Sequence, residues 1–369
     1  MTIANDVELE QLRDALRGFL AAASGEPVVR AVTEVNGIDR DLWRRLASEL
    51  GLPTVGLPER YGGGHGLPAL RVAMEELGRS LAPVPFLSTV ILSSTALAAS
   101  ADDAACSRYL PLIADGELVA ALAVVEHDGR WSANTWATRA RHAAGQWRLT
   151  GEKAFVVDGA QADTIFVFAA TTEGLGLFAV DANTTGVQRV PMTSLDLTRA
   201  FARIGFDDAD AELVGEVGAA DSALTAVGDI AHLALAAENV GGAERCLELS
   251  VDYAKTRQQF GRPIGSFQAI KHLCADMLTH VEGARAATAE AAATASEQPQ
   301  RLPLLASVAF VESARAFFYV AQETIHVHGG IGFTWEHPAH LYFRRAKSNQ
   351  LMFGGPAVDY ENVLTLLGV

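Results

Sequence analysis

Two stretches of this 369-residue chain carry side chains that can grip an anion. In YAKTRQQFGRPIGSFQAIKH (253–272) a helical run gives way to a basic turn punctuated by Gly and Pro, and a second helix starts at about Ser266. Arg257 presents a planar fork of donors suited to a diphosphate. Gln268 falls in the first turn of the second helix, where backbone amides also favour negative charge. The plainer reading is a helix–helix turn with a surface arginine. In IHVHGGIGFTWEHP (325–338), Gly329 and Gly330 follow a helical run. They admit a ligand or a second backbone at close range, or simply end the helix. His326 and His328 stand two apart with no carboxylate or Cys placed to complete a set, so no metal is expected. A third group is Glu238, flanked by apolar residues in LALAAENVGG (233–242). Burial there raises a carboxylate's pKa and makes a usable general base. The favoured reading is a buried or interfacial carboxylate paired with an Arg or His.

The elements that must position these groups fall into three blocks. Residues 1–116 read as helical: Leu9, Leu12, Leu16 and Phe19 recur at three- and four-residue steps on one face. GLPTVGLPERYGGGHGLP (51–68) must be loop or turn, with a helix over about 69–81. Residues 117–218 read as a β-block, with strand-like runs at 118–126, 147–157, 163–170 and 175–182 separated by turns such as Asp128-Gly129. From 219 to 369 four long helices are expected, at 219–256, 264–296, 302–329 and 339–366, forming an antiparallel bundle. The fold class is α+β: an N-terminal helical domain, a central β-barrel-like domain and a C-terminal four-helix bundle.

A net charge of −15 argues against a nucleic-acid partner, which needs clustered Lys and Arg. Cys106, Cys246 and Cys274 are scattered and odd in number, which suits a reducing cytoplasm rather than a disulfide framework. The N-terminus has no signal-peptide pattern, and no membrane-spanning helix or membrane insertion is expected.

The segments 253–272 and 325–347, together with GLPERYGGGHGL and GEKAFVVDG, resemble four ordered motifs of the acyl-CoA dehydrogenase family, and the resemblance covers essentially the whole chain. It implies FAD as cofactor, an acyl-CoA substrate, oligomeric assembly and an acceptor such as an electron-transfer flavoprotein. In this resemblance Arg257, Phe260 and Gln268 reach the FAD of a neighbouring subunit. His326, Gly329 and Gly330 meet its adenine and diphosphate end, and Glu126, Phe155 and Val157 of the strand domain cover its ring.

The sequence departs from the family where the chemistry lies. The family's usual catalytic glutamate falls at Gly354 of FGGPA (353–357), and its alternative position, on the first bundle helix, falls at Ala231. Neither has a group to accept a proton. Val125 and Val157 replace hydroxyl residues that hydrogen-bond the flavin, Phe155 replaces a Trp, and His326 replaces a Gln. The half of the site offered to a neighbour stays intact. Glu238, seven residues after Ala231, shares its helix face and is the candidate relocated base. Asp359 and Glu361 are expected on the exposed face of the last helix. His232, where relatives often carry Arg, either contacts substrate or flavin or is a core-edge histidine. The departures point to a homologous hetero-oligomer whose partner chain carries the base. A self-sufficient enzyme, a non-catalytic acyl-CoA-binding subunit and a flavin oxidase on the same scaffold are the alternatives.

Overall fold

The computed structural model describes residues 5–127, 129, 131, 136–352 and 354–369. The chain opens with α1 (Asp6–Ala23), whose start is fixed by a reciprocal cap: Asn5 Oδ1 accepts from the Glu8 amide while Glu8 accepts from the Asn5 amide. Leu9, Leu16 and Leu20 of α1 are buried, with Leu12 and Phe19 packed beside them. Then follow α2 (Glu26–Glu34), α3 (Arg40–Leu50), two short 3₁₀ turns (Leu52–Gly56 and Glu59–Tyr61) and α4 (Gly66–Ser80). A π-helical run, Phe86–Ser93, continues as α5 (Ser94–Ala99), and α6 (Asp103–Ala114) completes the block.

Seven strands follow: β1 (Ala120–Ala123), β2 (Arg139–Ala143), β3 (Gln146–Val157), β4 (Thr164–Ala170), β5 (Leu175–Asp181), β6 (Val187–Met192) and β7 (Phe201–Val214). The pairing β4–β2–β3–β7–β5 returns to β4 and closes a ring, with β1 added parallel to β4 and β6 laid along β7. Closure leaves an interior filled by Leu149, Ile165, Val167, Phe178, Ile204 and Phe206. Three of these strands, β2, β6 and β7, go beyond the four runs read from sequence. In β7, charged residues such as Arg203, Asp207 and Asp208 face outward between buried Ala202, Ile204 and Phe206 and dilute the apolar signal. Of the expected turn at 128–129, Asp128 lies outside the described residues.

The last block contains α7 (Asp221–Thr256), α8 (Gln268–Glu297), α9 (Leu302–His328), α10 (Ala339–Leu351) and α11 (Pro356–Leu367). The single fourth helix expected over 339–366 is two. Gly354 and Gly355 have φ of 104° and 92°, outside the helical region, and Pro356 restarts the helix at its first position. At Gly241 a Cβ would stand 1.8 Å from the Glu75 carbonyl oxygen, so α4 crosses α7 at a distance only glycine permits. Against the expectation of no spanning helix, Pro299–Phe333 is long and apolar enough to cross a membrane. Phe310, Phe317 and Val320 of this stretch are fully buried, and α9 packs against α7 and α8.

Candidate functional site

A cleft of about 360 Å³ opens where the mouth of the β-domain faces α10. Val124, Val125, Ala154, Phe155 and Val157 come from the strand side, Met192 from the end of β6, Thr193, Ser194 and Leu195 from the segment after it, Ser348 and Leu351 from α10, and Met352 from its C-terminal cap. Phe155 sits at a register shift between β3 and β7 with φ of 53°, a left-handed conformation that turns it out of the barrel. Among the described residues the lining holds three side-chain hydroxyls, Thr193, Ser194 and Ser348, and no ionisable group. Asp128, Arg130 and Phe353 lie outside the described residues.

The carboxylate of Glu126 is held by partners within the chain. It accepts from the amides of Ala137 (2.7 Å) and Thr138 (2.9 Å) and from Lys153 Nζ (3.0 Å). Burial works to raise its pKa, but these donors outweigh it and hold the carboxyl below the usual range. Lys153 is fully buried, also donates to the Val124 carbonyl, and lies 3.9 Å from the Trp136 ring centre. The pair ties the strand ends beneath the cleft to the 136–138 segment.

Glu238 does not have the raised pKa expected of a relocated base. Arg199 Nη2 approaches its two oxygens at 2.7 and 2.6 Å, Arg345 Nη1 donates at 2.6 Å, and Asn349 Nδ2 at 2.9 Å. Burial alone would lift the carboxyl; the two guanidinium groups reverse the effect and bring it to about 2. The geometry is that of a paired carboxylate. Its partners sit 39 residues before it and 107 after it, where no spacing rule reaches.

The two positions at which the resemblance puts the family's base hold no proton acceptor. Gly354 is exposed at its left-handed turn, and Ala231 is fully buried in α7. His232 leans on the Phe310 ring at 5.1 Å, does not line the cleft, and is pulled down to about 4 by burial. Asp359 corrects another expectation. It is buried, with its carboxyl lifted to about 7 by desolvation, while Glu361 is exposed. Asp229 was missed by the sequence reading; burial lifts it to about 6.

The second candidate surface faces outward. Arg257 caps α7, and a two-residue hairpin follows, β8 (Gln258–Gln259) against β9 (Arg262–Pro263), with Phe260 and Gly261 both at positive φ. Phe260 is 92% exposed. Gln268 is exposed at the first position of α8, whose start has no side-chain cap. Tyr253 near the end of α7 stacks on His328 at the end of α9, 4.5 Å between ring centres, which brings the two signature segments together. His326 Nδ1 stands 3.0 Å from the accepting Glu323 Oε2, whereas His328 turns inward to the Thr324 carbonyl. A Cβ on Gly329 or Gly330 would meet nothing within 4 Å, so the chain itself leaves that face open.

Family models describe the same stretches: acyl-CoA dehydrogenase, N-terminal domain, matches residues 6–117, and acyl-CoA dehydrogenase, C-terminal domain, matches residues 226–365. The chain is 35% identical over 351 residues to acyl-CoA dehydrogenase IpdE2 of Mycobacterium tuberculosis, covering 95% of this chain and 94% of that protein. Among solved structures it is similar to a variant of the Tcur3481–Tcur3483 steroid ACAD (33% identity, 98% of each chain, TM-score 0.86). It is also similar to the ChsE4–ChsE5 complex of M. tuberculosis (28% identity, 100% and 99% of the two chains, TM-score 0.88).

Proposed function

The chain belongs to the acyl-CoA dehydrogenase family of FAD-dependent oxidoreductases acting on CH–CH bonds, and on that premise we propose that it is the base-less subunit of a hetero-oligomer. The observation that carries this reading is the cleft: no ionisable side chain among its described residues, and a Glu238 held ionised by two arginines. Removal of a proton beside a thioester needs an acceptor within hydrogen-bond reach whose pKa suits the task. The reading assigns that acceptor to a homologous partner chain. Both solved structures named above carry paired chain names, Tcur3481–Tcur3483 and ChsE4–ChsE5, which supports it.

The residues present fit FAD unequally. The outward edge fits its diphosphate: Arg257 supplies a forked cation, and the uncapped start of α8 at Gln268 supplies amides. Phe260 and the open face at Gly329 and Gly330 supply apolar cover and clearance. The cleft fits a flat ring by shape and apolarity, but Val125 and Val157 give its polar edge no side-chain donor. When bound, FAD supplies the hydride acceptor for α,β-dehydrogenation. This chain's part is to hold the diphosphate end for its partner, to exclude water with apolar walls, and to offer Thr193, Ser194 and Ser348 as hydrogen-bonding groups. We assign a bulky apolar acyl-CoA, of fatty acid or steroid side-chain origin, as substrate, and an electron-transfer flavoprotein or similar protein as acceptor.

A self-sufficient enzyme is the second reading, favoured by Asp359, five residues past Gly354 with a carboxyl lifted to about 7. Asp359 does not line the cleft. Light scattering and flavin content, measured on the chain alone and on the chain co-produced with a homologue carrying a carboxylate at the Gly354 position, separate the two. A flavin-containing assembly of both chains is expected. A stable flavin-loaded homo-oligomer that ignores the homologue overturns the proposal.

A further inference from the structure

The three hydroxyls of the cleft stand on two separate walls. Thr193 and Ser194 belong to the segment between β6 and β7, and Ser348 belongs to α10. Neither wall is part of the closed barrel, so something else must set their spacing.

Both walls are tied to one carboxylate. The 193–199 segment reaches Glu238 through Arg199, and α10 reaches it through Arg345 and Asn349, three residues before Ser348 and one after it. The ties are cross-braced. Arg345 Nε donates to Asp196 at 2.8 Å, its Nη2 donates to the Thr198 carbonyl at 2.7 Å, and Arg199 Nη1 donates to Asn349 Oδ1 at 2.5 Å. Asp196, Arg199, Glu238 and Arg345 are each at most 5% exposed, and their charges cancel in two pairs. Guanidinium–carboxylate bonds in a dry interior hold both distance and angle.

We infer that Glu238 is the positioning residue of the cleft, fixing through Arg199 and Arg345 both walls that carry its hydroxyl groups. Among the described residues, its carboxylate is the one point in the network from which both walls are reached by direct bonds to α7, the long helix at the centre of the bundle. The inference holds whether or not a partner supplies the base.

Hydrogen–deuterium exchange on the full chain tests it. Glu238→Gln is expected to speed exchange about tenfold or more in both 192–199 and 345–352, with β4 and β5 unchanged. Glu238→Gln combined with Arg199→Gln restores charge balance; its thermal midpoint is expected to recover while 192–199 stays fast. A carboxylate needed only for charge balance would instead recover both, and that result overturns the inference, as does unchanged exchange in the single variant. Should Glu238→Gln fail to fold, Glu238→Asp decides, because it keeps the charge and draws the carboxylate back from both arginines. The positioning role requires both 192–199 and 345–352 to exchange faster in that variant, and unchanged protection in both contradicts it.

Discussion

Glu238 of α7 and Arg345 of α10 meet at 2.6 Å where α10, one wall of the cleft, packs on α7, in a site closed to solvent. A carboxylate so placed is a poor proton acceptor and a strong tether. The same contact holds Glu238 ionised and ties α7 to α10.

Glu238 should give the chain an acid-sensitive stability. Its folded carboxyl, at about 2, lies below the ordinary 4.5, so its contribution is complete above about pH 4.5 and disappears as pH falls toward 2. The shift corresponds to roughly 3 kcal/mol. Urea unfolding between pH 2.5 and 5 should show a stability slope that Glu238→Gln largely removes.

Asp158 should act in the opposite sense. It is buried and accepts from Ser88 Oγ at 2.6 Å, and desolvation lifts its carboxyl from 3.8 to about 6 despite Arg199 and Arg345. The folded state then holds a proton that the unfolded state has lost, so stability falls as pH rises from about 4 to about 6. Asp158→Asn, which can still accept from Ser88, is expected to raise stability at pH 7.5 by roughly 2–3 kcal/mol, read from urea midpoints.

Arg257→Ala should separate flavin retention from folding. The side chain is exposed at the end of α7, so stability should change by less than about 0.5 kcal/mol. Loss of a forked cation at a diphosphate should weaken flavin retention by the assembly at least about tenfold, read as the flavin-to-protein absorbance ratio after gel filtration.

Gly354→Glu should not create a working enzyme. At φ of 104° a side chain is strained, and its Cβ would lie 3.2 Å from Val358 Cγ2. A cost of about 1–2 kcal/mol is expected, with no gain of dehydrogenase activity in the lone chain. Thermal midpoint and a dye-reduction assay measure the two outcomes.

The sequence carried the outline well because its signals were local. Heptad-like apolar spacing marked α1, and the Arg257–Gln268 segment announced a helix end, a turn and a helix start. The break at Gly354-Gly355-Pro356 is also a local signal, two glycines before a proline, yet the expectation of a single helix over 339–366 passes over it. What spacing does not convey is a partner far along the chain. Glu238 read as a candidate base because its neighbours in sequence are apolar, yet its neighbours in space are Arg199 and Arg345. Asp359 failed for the same reason in reverse: an acidic residue on the last expected helix reads as facing solvent, while Asp359 is buried and α11 packs against α9.

The most direct test of the central claim is the visible spectrum of the purified chain, alone and co-produced with a homologue carrying a carboxylate at the Gly354 position, before and after addition of acyl-CoA. The expected result is a lone chain that does not bleach and a yellow pair that does. A lone chain that is yellow and bleaches with substrate would contradict the account.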